Sequence, residues 1–424
     1  MQQIVIVVVV AVAYGALALV SKLVAYAPAD AWTVWLASGV VFGSLLAARR
    51  ERWLPVLAGG FIGAAAFAFY LGVSVLDALG YGAIEVLTAG GAALLVSKLT
   101  PLPLELVKAR ELSAMIVGGA LPLALAGAIL ATAWHVATGG TVPGQTFKLW
   151  VISNFIGTLL VAPVIVSWAR FRVRRSGGMT MPGFAAGAVA CALYLGTMQF
   201  LFDTNVEQRF GGAGESLTYA PIVFMALVAL LWGTRGTTLA AFLGALIAIV
   251  NTAQGEGPFA SAQGGLLGDP ELEVQGYALA IALTGLLIAV LDAAKRSAVR
   301  TARDWQTRFT AAIGAHRLIA YEWDPVSGRL VLTGDSALLV GLPPERLATL
   351  ADWLALVVAD DRERVATRFD ERVRGQGEAD SMTYLVTAAN GGVLAVTDEA
   401  RVIRDHDGQL HRVVGIVRIS AVPE

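Results

Sequence analysis

The sequence predicts a polytopic α-helical membrane bundle of about ten spans, followed by a smaller soluble α+β domain with an antiparallel sheet. Three observations predict it: a sharp change in charge density, a ladder of long apolar runs, and a one-sided distribution of basic residues. The chain has 424 residues, 56% hydrophobic and 15% charged, with net charge -1. Residues 1–295 carry 15 Lys+Arg and 14 Asp+Glu, so 29 of 295 are charged, whereas residues 296–424 carry 34 charges in 129 positions. The first density suits a bilayer and the second an ordinary soluble domain, for which roughly 25% is usual. This excludes a single globular domain and a disordered chain. The lone Cys191 excludes a disulfide scaffold. A net charge near zero gives no nucleic-acid signature.

A spanning helix needs about 20 mainly apolar residues, each rising about 1.5 Å through a core about 30 Å thick. Ten runs meet or approach this: 3–23, 32–48, 54–75, 78–97, 112–136, 148–168, 183–202, 218–233, 237–252 and 274–294. The eighth and ninth are short, and only W-G-T-R-G-T (Trp232 to Thr237) parts them, as either a tight turn or a broken helix.

Ten spans that start inside put twelve basic residues on the inner side: Arg49, Arg50, Arg52, Lys98, Lys108, Arg110, Arg170, Arg172, Arg174, Arg175, Arg235 and Lys295. The outer side keeps three, Lys22, Lys148 and Arg209. Lys and Arg accumulate on the cytoplasmic side of membrane proteins, so both ends of this part are expected in the cytoplasm, with the chain in a bacterial inner (plasma) membrane. The first run ends in A-Y-A (Ala25 to Ala27), which is similar to a cleavage site, but M-Q-Q carries no positive charge and Pro28 follows at once. A retained helix is expected.

In this orientation the polar residues of the spans favour the outer half: Lys22, Asp30, Ser38, Glu85, His135, Asn154, Gln199, Asp203, Asn251 and Gln275. A charge in hydrocarbon costs at least about 2.5–3.5 kcal/mol, so Glu85 must face the bundle interior, find a donor or stay protonated. Trp35, Ser38, Glu85, His135, Asn154 and Asp203 are the candidate ligand or signal pocket. The competing reading is that helix ends are polar and that Ser, Asn and Gln glue helices together. Trp32 and Trp35 read first as interface anchors. Gly59-Gly60 and Gly90-Gly91 read as close-packing contacts.

Four stretches give a family resemblance. W-L-A-S-G-V-V-F-G (Trp35 to Gly43) resembles the W-P-x-x-G signature of the first type of the membrane-associated sensor (MASE) class, with Ala37 where proline is usual. S-N-F-I-G-T-L-L-V-A-P (Ser153 to Pro163) resembles its sixth-helix pattern, with Asn154 where aspartate is common. L-W-G-T-R-G (Leu231 to Gly236) and N-T-A-Q-G-E-G-P-F (Asn251 to Phe259) also fit. The resemblance covers most of residues 1–295 and implies the sensory input of a histidine kinase or diguanylate cyclase. Asn154 puts any proton- or cation-linked role of that position in doubt.

The last run continues into A-K-R-S-A-V-R-T-A-R-D-W without Gly or Pro. Leu291, Ala294, Ala298, Ala302, Trp305 and Phe309 recur at spacings of three and four, so residues 296–309 form a connector helix. Leu291, Ala298, Trp305 and Phe309 are the expected relay, by pairing in a homodimer or by packing on the next domain. Residues 310–424 then read as two strands, a helical middle that includes 360–373, and three strands with turns at A-N-G-G and D-H-D-G. With Y-E-W-D-P (Tyr321 to Pro325), V-A-D-D-R (Val358 to Arg362, usually H-P-D-D-R) and V-V-G-I-V (Val413 to Val417), this order resembles a cytoplasmic PAS domain.

No cofactor and no metal site is expected, with a small apolar ligand in the PAS core left open. His316, His406 and His411 read as surface residues. There is no G-G-D-E-F-like loop, P-loop, G-x-S-x-G or phosphoacceptor histidine setting, so no catalytic residue is assigned and no enzyme activity is expected of this chain. The expected partners are the bilayer, a second copy and a downstream output domain or protein. The expected function is sensory input relayed through a helix to the PAS domain, in an input half or a stand-alone relay. The alternatives are a transporter with a regulatory PAS domain and a membrane-embedded enzyme.

Overall fold

Lipid offers the backbone no hydrogen-bond partners, so an apolar run must close its own bonds as helix. The computed structural model describes the chain except residues 26–31, 141–143, 170–179, 204–216, 261–269, 317, 375–378, 405–409 and 422–424. Asp30, Arg170, Arg172, Arg174, Arg175, Arg209, His406 and the D-H-D-G turn therefore lie outside the described residues. The chain divides into two compact units, Met1–Ser297 and Ala298–Glu424.

Every apolar run of the first unit carries a helix. Among the described residues eight helices are long and apolar enough to span: Gln2–Leu23, Arg50–Tyr70, Val75–Leu99, Ala109–Ala137, Phe147–Trp168, Met181–Leu201, Ala220–Ala253 and Pro270–Ala315. The second run yields only the short helix Ser38–Ala47, because Trp32 to Ala37 is irregular. This stretch survives because protein surrounds it: Thr33, Val34, Leu36 and Ala37 are buried. Its polar groups are met from other segments. Trp35 N–H donates to Ser153 O at 3.1 Å. Leu36 N–H donates to Ser21 Oγ at 2.9 Å. Gln275 Nε2 donates to Thr33 O at 2.6 Å. Irregular backbone at membrane depth is tolerated on this condition.

Small residues let Ser38–Ala47 lie against Gly144–Trp168. A Cβ on Gly157 would sit 2.0 Å from Trp35 O, and one on Gly43 would sit 2.8 Å from Ala162 Cα. Gly59 and Gly60 are likewise pressed against Val7, Val10 and Val41, whereas Gly91 faces open space and Gly90 meets only Leu57 at 3.6 Å. The second glycine pair is thus not a close contact, since helix rotation turns it away from the neighbours.

The eighth and ninth runs lie in the 34-residue helical segment Ala220–Ala253, which is broken at Gly233 with φ 63 and ψ -160. A straight helix of that length would reach about 50 Å. Yet Tyr277 touches both ends: its hydroxyl donates to Thr218 O at 2.9 Å and its ring packs 5.4 Å from Phe259. The chain therefore turns back at Gly233 as a tight helical hairpin. Arg235 Nε donates to Ser167 O at 2.9 Å, near the end of Gly144–Trp168, and the Arg296 guanidinium donates to Leu230 O. The turn thus lies at the basic ends of its neighbours. With the two arms of the hairpin counted apart and Ser38–Ala47 added, the eight long helices give ten apolar helical segments, one for each run in the sequence.

The helix Pro270–Ala315 runs 46 residues and continues past the apolar run through the whole basic stretch. The second unit holds a five-stranded antiparallel sheet: β1 (Leu318–Trp323), β2 (Leu330–Thr333), β3 (Ala379–Thr387), β4 (Val393–Arg404) and β5 (Leu410–Ala421), in the order β2-β1-β5-β4-β3. The helices Ser336–Val340, Leu350–Leu356 and Ala359–Val373 fall between β2 and β3. In β1, Ile319, Tyr321 and Trp323 join the same core as Val365 and Phe369 of Ala359–Val373. Period-two strands and a period-3.6 helix thus share one apolar interior.

Candidate functional site

A cavity of about 280 Å³ lies in the membrane unit, in the region where Gln2–Leu23, Trp53–Tyr70, Val75–Leu99, Leu121–Ala137 and Gly144–Trp168 meet the irregular 32–37 segment. That volume is at the small end of ligand sites. The wall is mainly aromatic. Trp32 and Trp35 are 5.3 Å apart between ring centroids, and Phe67 lies 6.3 Å from Trp32 and 5.8 Å from Trp35. Tyr14 meets Trp35 edge-on at 6.5 Å, and Tyr81 and Trp150 also line the space.

Glu85 opens into this cavity from the Val75–Leu99 helix, about three turns in. Tyr14 Oη donates to Glu85 Oε2 at 3.2 Å. An O–H···O bond to a carboxylate is usually 2.5–2.7 Å, so this donor is a weak partner for an ionised Glu85. Asn154 lines the cavity too, and its Nδ2 donates to Trp150 O at 2.8 Å within the same helix. The buried Ser153 Oγ in the wall makes no hydrogen bond among the described residues.

Of the six residues expected to form a pocket, Trp35, Glu85 and Asn154 line one cavity. Ser38 stands behind its wall, bonding Trp35 O at 2.9 Å, Asn154 O at 3.2 Å and Thr158 Oγ1 at 2.9 Å, and so ties the irregular segment to the helix that carries Asn154. His135 and Asp203 are not among the lining residues. His135 sits in the last turn of Leu121–Ala137, and Asp203 follows the Met181–Leu201 helix. Depth along a helix groups such residues, but azimuth separates them. Trp32 and Trp35 are half-buried and line the cavity, their rings tilted against Phe67 where the backbone is unwound. Sequence reasoning missed Tyr14, Phe67, Tyr81 and Trp150; the available signal was an excess of aromatics at the same end of several spans.

The relay residues lie on the Pro270–Ala315 helix. Leu291, Ala298 and Trp305 are exposed, Trp305 by 68%, and Phe309 is half-buried with its ring stacked on Trp305 at 5.3 Å and 8°.

The PAS core contains a polar network that the sequence pattern did not suggest. Arg372 Nη1 donates to Tyr321 Oη at 2.9 Å and to Asp398 Oδ2 at 3.1 Å, and Tyr321 Oη donates to Asp398 Oδ1 at 3.0 Å. Burial, and then the charge of Asp398, hold the Tyr321 phenol well above its ordinary value. Trp353 Nε1 donates to Tyr384 Oη at 2.9 Å. An inner cavity of about 10 Å³, lined by Tyr321, Trp353 and Phe369 among others, has room for about one water. Asp361 of V-A-D-D-R accepts from Leu385 N–H at 2.9 Å, docking its helix on β3. A hydrogen bond from Arg364, then that amide, holds its carboxyl below the usual range. His316 and His411 are exposed. Among the described residues no group of three or more His, Cys, Asp or Glu is placed to hold a metal ion.

The MASE1 family model matches residues 5–295, and the PAS fold model matches residues 331–417. No curated protein matches the chain. Three solved structures are similar to part of the chain. The N-terminal domain of a diguanylate cyclase with PAS/PAC sensor from Marinobacter aquaeolei is 18% identical, covering 24% of this chain and 93% of its own, with TM-score 0.23. A sensory box histidine kinase/response regulator from Burkholderia thailandensis is 18% identical, covering 27% and 85%, with TM-score 0.23. The PAS domain of a protein from Colwellia psychrerythraea is 16% identical, covering 27% and 97%, with TM-score 0.24.

Proposed function

We propose a sensory-input function from one premise: over residues 5–295 the chain belongs to the MASE1 family of integral-membrane sensor domains, and over residues 331–417 it carries a PAS fold. The observation that carries the reading is this succession in one chain, joined by the unbroken 46-residue helix Pro270–Ala315. No catalytic domain is matched in the chain, and its part in signalling is the reception and transfer of a stimulus. The stimulus binds the aromatic cavity around Glu85, from the external or membrane side. Binding favours one packing of the surrounding helices over another, and only such a difference in affinity can shift their equilibrium. The Pro270–Ala315 helix carries the change to the PAS domain, and thence to a kinase or cyclase output.

The basic flanks favour a cytoplasmic location for both ends of the membrane unit, in a bacterial inner membrane. A reporter fused after Phe309 tests this: cytoplasmic activity is expected, and periplasmic exposure overturns the relay. The exposed Trp305, stacked on Phe309, favours pairing of this helix with a second copy. Transporter sites are typically formed by discontinuous helices near the bilayer midplane. The break at Gly233 is a turn beside basic residues, so the rival reading loses one of the features that favoured it, while the ten spans and Glu85 suit both readings.

The direct test fills the cavity. Ala64→Phe and Ala128→Phe each place a ring in its wall. Amide exchange measured on the full chain should change in 298–315 and in β1. Unchanged exchange there, in a folded variant, overturns the sensory role of this cavity.

A further inference from the structure

The cavity pairs a carboxylate with an aromatic enclosure and offers no cation of its own. None of the described residues lining it is Lys, Arg or His. Among the described residues the Glu85 carboxylate receives one hydrogen bond, the long one from Tyr14. Lys22, a basic residue close in sequence to the site, stands over the ring of Tyr70, 4.8 Å from its centroid, and Tyr70 is not part of the lining. A buried carboxylate is costly until something positive meets it. The rings of Trp32, Trp35 and Phe67 pack on one another at 5.3 to 6.3 Å with tilted planes and all three line the cavity, so a small group in it stands beside a continuous aromatic wall. A cation within about 6 Å of an aromatic face is attracted by the ring quadrupole, the more strongly when desolvated. An anion would meet Glu85 as a like charge.

We infer that this cavity binds a small organic cation, a quaternary or alkylated ammonium group, with Glu85 as the counter-charge and Trp32, Trp35, Phe67 and Trp150 as the cage. The inference rests on the sensory reading of the same cavity and adds the chemical class of the ligand. The shape agrees with it: about 280 Å³ admits an ammonium headgroup and a short tail. Ser153 Oγ and the Asn154 side chain stand in the wall to meet a hydroxyl or carbonyl on that tail. The ammonium can belong to a free solute or to a lipid headgroup.

The test is calorimetric titration of the full chain in phosphatidylglycerol nanodiscs. Choline is the probe, and 3,3-dimethylbutan-1-ol is its neutral isostere. Choline should bind saturably, and the neutral isostere about tenfold more weakly or worse. Glu85→Gln should erase that preference, whereas Glu85→Asp, which keeps the charge, should retain most of it. Should Glu85→Gln fail to fold, the wild-type comparison and Glu85→Asp decide. Nanodiscs containing phosphatidylcholine distinguish the sources: loss of choline binding there assigns the lipid headgroup, and unchanged binding assigns the free solute. Equal binding of choline and its isostere, a preference that survives Glu85→Gln, or no saturable choline binding overturns the inference. The sensory reading stands or falls separately, because the exchange measurement on cavity-filled variants uses no ligand.

Discussion

Arg372 Nη1 lies 3.1 Å from Asp398 Oδ2 in the PAS core, and the two side chains are 2% and 0% exposed. The guanidinium also stands over the Phe369 ring at 4.8 Å, so one helix face supplies both an apolar and a charged contact. Removing one member of a buried pair leaves the other charge uncompensated, at about 3–5 kcal/mol, whereas replacing both with apolar residues is often neutral. Arg372→Met should therefore destabilise the PAS unit strongly, and Arg372→Met combined with Asp398→Leu should recover most of the loss. Amide exchange at Val365 and Val417 under rising denaturant checks both. A single variant as stable as wild type would show that the pair contributes little.

The same network sets an alkaline limit. Tyr321 has its pKa raised by burial and by Asp398, so it stays neutral in the fold at pH values where an unfolded tyrosine, near 10, ionises. Its contribution is complete below about pH 10 and is lost as pH rises toward the folded value. Tyr321→Phe should flatten the alkaline fall in PAS stability. An identical alkaline profile would count against the assignment.

Asp361 governs the acid side. Its pKa is lowered by the bond from Arg364 and then by Leu385 N–H, so its contribution is present above the unfolded value of about 3.9 and is lost as pH falls through the folded value. Asp361→Ala removes the charged acceptor of Leu385 N–H, a loss of about 1.5–3 kcal/mol. The acid unfolding profile of the PAS unit should become shallower below about pH 4 in that variant.

The fold was legible wherever one physical rule dominates. Lipid forces apolar runs into helix, and strand alternation with hairpin signals orders β1 to β5. The irregular 32–37 segment was not legible, because hydropathy cannot distinguish a helix from unwound backbone that protein buries. Its partners are Ser21, Ser153 and Gln275, distant in sequence. The cavity was half legible: Trp35, Glu85 and Asn154 announce themselves as polar or amphipathic residues in apolar runs, but helix rotation decides their company, and an evenly apolar helix gives no rotational signal. Arg372 follows Val365 and Phe369 at helical spacing, and Asp398 falls on the inward side of β4 with Val396 and Ala400, yet neither was named as buried from the sequence. A charge at such a place contradicts the simple pattern, and only the paired charge on the other element resolves it.

Close helix contact predicts a contrast between two glycines. At Gly157 an added Cβ would lie 2.0 Å from backbone oxygen of Trp35, which cannot move aside like a flexible side chain. Gly157→Ala should cost about 1–3 kcal/mol or more and lower the folded yield in size-exclusion profiles. Gly91→Ala faces open space and should behave as wild type.

The hairpin turn depends on a conformation that glycine alone adopts readily. Gly233 at φ 63 and ψ -160 occupies the region essentially reserved for residues without a Cβ, at a cost of about 1–3 kcal/mol for others. Gly233→Ala relieves that strain only by letting the 220–253 segment continue as helix, and this pulls Thr218 O away from the Tyr277 hydroxyl. The expected result is a lower melting temperature and loss of the Thr218–Tyr277 contact. A cysteine pair at Thr218 and Tyr277 is too far apart for a disulfide, because the contact spans a tyrosine side chain, but a short bifunctional thiol reagent should bridge it when Gly233 is kept, and less when it is combined with Gly233→Ala. Equal crosslinking in both would mean that the turn is held by its flanking bonds, Trp232 Nε1 to Phe184 O and Arg235 Nε to Ser167 O, rather than by the glycine.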